Sequence, residues 1–162
     1  MMGRLAMLVA ALLLGLPSGA GADHPSQGVQ TLEGVPAVTV VVGELGPRLR
    51  EHGLDREAVR RAVRSELEDA DIPTEPGENA ARLHVRLDSR RASRRFLALT
   101  IGLELRQHVR LDRDPRRIIS ATTWRNGAVA PVKAASSPAV SGRVASFVSR
   151  TFIPDFLAAN SD

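Results

Sequence analysis

Residues 81–88 read ARLHVRLD and residues 96–111 read FLALTIGLELRQHVRL. In the first stretch Leu83, Val85 and Leu87 alternate with Arg82, His84 and Arg86. In the second, Leu97, Leu99, Ile101, Leu103 and Leu105 alternate with Thr100, Gly102, Glu104 and Arg106. A period of two puts successive side chains on opposite faces of a strand. Both stretches are therefore strands with one apolar face and one polar face rich in arginine. That pattern calls for a sheet covered on one side and open on the other. The second alternation carries on through Val109 and Leu111, giving one long strand with a bulge expected near Gln107.

Working outward, 89–95 (SRRASRR) is the hydrophilic turn between these two strands. Residues 112–117, with Asp114-Pro115, form the next hairpin turn, and 118–125 a further strand ending near Trp124. Asn126-Gly127 carries the type I′ turn signal, with a short return strand through Val129 to Val132. On the N-terminal side, 37–42 (AVTVVV) is β-branched and reads as a strand buried on both faces. The connector 43–53 holds Pro47 and a partial helical turn at Leu45 and Leu49. Asp55 is placed to cap a helix in which Val59, Ala62, Val63, Leu67 and Ala70 share one face. Glu57 with Arg61 and Arg64 with Glu68 form i,i+4 pairs, and Pro73 stops the helix. After the small-residue linker 134–138, Ser141 caps a second helix. Val144, Phe147, Val148, Phe152, Phe156 and Leu157 form its apolar face, and Pro154 kinks or splits it. The expected fold is α+β: a two-layer sandwich, a mostly antiparallel sheet of about four strands with two helices on one face. Its order is strand-helix-strand-strand-strand-helix.

The first 22 residues have the layout of a signal peptide. Arg4 precedes an apolar run from Leu5 to Leu16, and small residues follow in 17–22. Small side chains at −3 and −1 place cleavage after Ala20 or Ala22. The run is shorter than the roughly 20 residues that span a bilayer, so no transmembrane segment is expected after cleavage. Residues 23–36 then form a flexible lead-in and 37–162 a single domain. The expected location is the periplasm or outside the cell. There is no cysteine, which excludes a disulfide framework, thiolate catalysis and cysteine-held metals.

This order of elements after a signal peptide resembles small envelope proteins of Gram-negative bacteria, among them the lipopolysaccharide-assembly lipoproteins of the outer membrane. The resemblance rests on the layout of 37–42, 55–70, 81–88, 96–111, 118–125 and 141–160, which covers most of the mature chain. It implies an envelope accessory or partner-binding role. That family is anchored through a lipidated cysteine, which this chain lacks, and no functional residue carries over.

The residues that could do chemistry do not converge. His24 lies in the lead-in and His52 in a loop, while His84 and His108 sit on polar strand positions. Pairing of His84 near Thr100 would keep His84 and His108 apart, so no metal site is expected. No G-x-S-x-G elbow, phosphate loop or dinucleotide fingerprint occurs. Ser141-Gly142 reads as a helix start, and the acids of 66–71 as a solvated helix end. No catalytic residue and no cofactor are expected; an unrecognised hydrolase is the outlying alternative.

The 22 basic side chains exceed the 18 acidic ones for a net +4, of which Arg4 leaves with the leader. The charge is polarised along the chain. Eleven arginines against four acids lie between Arg82 and Arg117, and ten acids against six arginines between Glu44 and Glu78. Arg82 and Arg86 share the outer face of one strand, Arg106 and Arg110 that of the next. These four are the candidate anion-binding residues, because guanidinium groups suit phosphate and carboxylate. The bland counterpart is charge that keeps an open sheet face from aggregating. The leading expectation is a non-catalytic accessory protein with an envelope protein partner, the alternative a binder of anionic lipid or glycan. Nucleic acid is not expected: Trp124 is the single aromatic left to act as a stacking platform.

Overall fold

The computed structural model of the chain describes residues 22–23, 28–74, 77, 80–93, 95–133 and 137–161. The signal-peptide reading of 1–22 therefore lies almost wholly outside the described residues, as does His24. The elements are β1 (Ala22–Asp23), a 3₁₀ turn (Val29–Leu32), β2 (Val38–Val42), α1 (Pro47–Glu51) and α2 (Arg56–Asp69). After these come β3 (Ala81–Arg91), β4 (Phe96–Leu111), β5 (Asp114–Lys133) and α3 (Ser137–Ala159). The fold is α+β. Four long strands form one mixed sheet to which the two-residue β1 adds an edge, in the order β1-β5-β4-β3-β2. β2 runs parallel to β3 through the helical crossover, and the other pairs are antiparallel.

The alternation in β3 and β4 emerges as expected. Leu83, Val85, Leu87, Leu97, Leu99, Ile101, Leu103 and Leu105 are buried beneath the helices. α2 contributes Val59, Val63 and Leu67; α3 contributes Val144, Phe147, Val148, Phe152 and Phe156. Each phenylalanine buried this way stabilises the fold by about 1.5–3 kcal/mol. Trp124 is fully buried as well, edge-on to Phe152 at 5.0 Å. Its Nε1–H donates to Asp155 Oδ2 of α3 at 2.9 Å. It is a core anchor, not a surface platform.

Several local expectations are corrected. Asn126-Gly127 is no turn: β5 runs straight through it, Asn126 opposite Leu103 and Gly127 opposite Gly102. The long apolar face of β4 needs a partner along its whole length, and that pairing overrides a local turn preference. The β4–β5 turn is tighter than expected, with Asp112 and Arg113 at its centre and Asp114 already in the strand. β2 is buried on one side only, through Val38, Val40 and Val42, because helices cover only one layer. Asp55 stands at the cap position of α2, yet its side chain makes no cap hydrogen bond. Arg60, not Arg61, pairs with Glu57, while Arg64–Glu68 forms as expected. α3 begins at Ser137 with Pro138 in its first turn, where a missing N–H costs nothing. Ser141 is thus inside the helix and buried. Pro154 leaves α3 continuous because it sits on the exposed side, where water can take the carbonyl it frees. Leu157, expected on the apolar face, is 46% exposed.

The segment expected as a flexible lead-in has structural work from Gly28 onward. The register of β4 against β5 shifts between Leu105 and Arg106, leaving Thr123 as the extra residue of a bulge. The groups released there are satisfied from the lead-in and from β4. Thr31 Oγ1 donates to the Thr123 carbonyl at 3.0 Å, and Gln107 Nε2 donates to Thr123 Oγ1 at 2.8 Å and to the Thr31 carbonyl at 2.9 Å. Leu32 is fully buried, and Asn160 at the end of α3 holds its carbonyl at 3.0 Å.

Candidate functional site

Among the described residues, α2 and α3 cover only one face of the sheet. On the open face β4 presents Ala98, Thr100, Gly102, Glu104 and Arg106, opposite Arg90, Asp88, Arg86, His84 and Arg82 of β3. On the other flank stand Pro131, Val129, Gly127, Arg125 and Thr122 of β5. Residues directly opposite have Cβ atoms about 5 Å apart. Arg82 and Arg106 therefore confront each other, and Glu104 lies between His84 and Arg125.

Glu104 organises this surface. It takes Arg86 Nη1 at 3.3 Å on one carboxylate oxygen and Arg106 Nη2 at 3.1 Å on the other. Burial works to raise its pKa, but the Arg106 hydrogen bond and the two guanidinium charges outweigh it, so the carboxyl titrates below its ordinary value. His84 is pushed down, first by burial and then by Arg106, against the opposing pull of Glu104. Both effects favour the neutral imidazole beside the arginines.

The structure brings Arg82, Arg86 and Arg106 together and leaves Arg110 out. Arg110 pairs with Ile118, beyond the last β3–β4 pair. At about 3.3 Å per residue it stands some 13 Å along the strand from Arg106. The described arginines of 82–117 likewise form no single patch: Arg90, Arg91 and Arg95 by the β3–β4 turn and those near the β4–β5 turn are separated by the length of β4, about 50 Å. His84 faces Glu104 and not Thr100, because the strand β3 continues to Arg91 and moves the turn outward. Among the described residues no three potential ligands gather for a metal.

A cleft of about 650 Å³ opens on the same face, lined by Gly43, Glu44, Gly46, Arg86, Leu87, Asp88, Thr100, Gly102 and Glu104. Gly102, at mid-strand in its lining, projects no side chain, and neither does Gly127, its partner on β5. A Cβ on Gly127 would come within 3.3 Å of the Ile101 carbonyl. Glycines at mid-strand positions are the sequence signal for such a furrow. The turn signal at Asn126-Gly127 hides the place of Gly127 opposite Gly102. Alternation alone does not single out Glu104 as the hub, although it is the lone acid between Asp88 and Asp112.

Comparison of the chain with protein-family models, characterised proteins and solved structures finds no match.

Proposed function

We propose that this chain is an exported, non-catalytic binding module of the cell envelope that engages its partner through the open face of the sheet. The observation that carries the reading is the asymmetry of the sheet. One face is sealed by α2 and α3, while the other carries a cleft with Gly102 in its lining, beside three arginines of which two, Arg86 and Arg106, share the Glu104 carboxylate. The signal-peptide pattern of residues 1–22 supports export, and the layout resemblance to envelope lipoproteins supports the accessory role. No helix among the described residues is long and apolar enough to cross a membrane.

Site-specific photo-crosslinking tests this. A crosslinker at Thr100, on the open face, is expected to give a discrete adduct in the envelope fraction; one at Leu157, on the helical layer, is not. Adducts from both sites alike, or from neither, would refute the reading.

A second reading rests on one specific contact. Like charges directly opposite across a strand pair are destabilising, and Arg82 faces Arg106. Glu104 compensates only part of that charge, which favours an anionic lipid headgroup or glycan as the ligand. Such binding weakens steeply with salt and should vanish when Arg82, Arg86 and Arg106 are changed together to serine.

A further inference from the structure

Beyond Gln107 the last two strands leave the sheet. The β3–β4 pairing ends at Arg82↔Arg106, and from Val109 onward β4 is bonded to β5 alone, through Val109↔Ile119, Arg110↔Ile118 and Leu111↔Asp114. The result is a short two-stranded arm, Val109 to Ile119. Its residues alternate. Val109, Leu111 and Ile119 are half-buried on the side continuous with the core, and Arg110 and Ile118 face the other way. Ile118 is 57% exposed, more than any other large apolar side chain among the described residues. Around it stand Arg110, Arg113, Arg116 and Arg117, all exposed, against Asp112 and Asp114, a local net of +2. Among the described residues none of these four arginines has a carboxylate within 4 Å, whereas Arg86 and Arg106 of the open face are both paired.

We propose that this arm seats on the surface of an anionic phospholipid bilayer. Guanidinium groups form bidentate contacts with phosphate. An isoleucine at their root supplies the apolar contact that an interfacial anchor combines with charge. The size of the arm decides between lying on the membrane and crossing it. A spanning strand needs about 9–11 residues, and the arm has three on β4 (109–111) and six on β5 (114–119), so it reaches headgroup depth only. This surface is separate from the open-face cleft, and the inference stands whether or not that cleft binds a partner.

The chain has no cysteine, so one introduced thiol can carry an environment-sensitive dye. The probe sites are Ser120→Cys, at the root of the arm two residues from Ile118, and Thr100→Cys on the open face. The probe membranes are vesicles of phosphatidylglycerol with phosphatidylcholine and of phosphatidylcholine alone. The arm dye is expected to shift blue with the anionic vesicles only. Changing Arg113, Arg116 and Arg117 to serine should weaken binding on the order of a hundredfold, about fivefold per arginine. The near-ultraviolet circular dichroism of Trp124 checks that each variant is folded. No shift at Ser120, an equal shift at Thr100, or full binding by the triple variant would overturn the proposal. The last outcome would make these arginines solubilising edge charge. A shift at Thr100 alone would instead point to the open face as the lipid contact.

Discussion

Replacing Glu104 with glutamine should weaken the fold and strengthen anion binding at the same time. The carboxylate holds Arg86 at 3.3 Å and Arg106 at 3.1 Å. Its side chain is 22% exposed, but those of the two arginines are 69% and 42% exposed, so water screens both pairs. Exposed pairs contribute about 0.2–1 kcal/mol each. The partial burial of Glu104 places these near the top of that range. Removing the charge also leaves Arg82 and Arg106 facing each other uncompensated, which adds a few tenths. The expected loss is about 1–2 kcal/mol at low ionic strength. With a urea m-value of about 2 kcal/mol/M, the unfolding midpoint should drop by roughly 0.5–1 M. Trp124, the single tryptophan, reports it. At 1 M salt, where the Debye length is about 3 Å, most of the difference should disappear. If the face binds anions, the extra net positive charge should tighten binding about fivefold. An unchanged midpoint at low salt, or a loss that persists undiminished at 1 M, would refute the role given to Glu104.

Three further outcomes are expected. Asp155→Ala leaves the buried Trp124 Nε1–H without its acceptor and should cost about 1–3 kcal/mol by urea titration, with Asp155→Asn recovering much of it. Gly28 and Gly34 both have positive φ, 83° and 68°. A Cβ at Gly28 would overlap the Thr123 carbonyl oxygen, while one at Gly34 meets nothing within 4 Å. Gly28→Ala should therefore be strongly destabilising, beyond about 3 kcal/mol, and Gly34→Ala should cost only about 1–2 kcal/mol of left-handed strain. Glu104 and His84 both bind protons less readily folded than unfolded. Each contributes stability that is present above its unfolded pKa and lost as pH falls through its lower folded value. The urea midpoint should thus decline in two stages, below pH 6.5 for His84 and below pH 4.5 for Glu104. His84→Gln should remove the first stage.

The layers of the fold were legible because two strands and a helix carry unbroken periodicity. Leu83 to Leu87, Leu97 to Leu105 and Val59 to Leu67 each repeat at the spacing of the element they form. What escaped was decided at a distance. Gly127 satisfies every local rule for a turn and lies mid-strand because β4 needs a partner along its whole apolar face. The lead-in looks mobile by composition and is held because a bulge at Thr123, over 90 residues away, needs Thr31. The candidate site was half legible. Alternation put Arg82, Arg86 and Arg106 on the open face, but only the register shows that Glu104 joins two of them and that Arg110 lies off the sheet.

The central claim is that the open face is the working surface of an exported module, and crosslinking at Thr100 in intact cells tests it most directly. The account predicts one discrete adduct from Thr100, sensitive to the Arg82, Arg86 and Arg106 substitutions, and none from Leu157. Equal adducts from both positions, or none from Thr100, would contradict it.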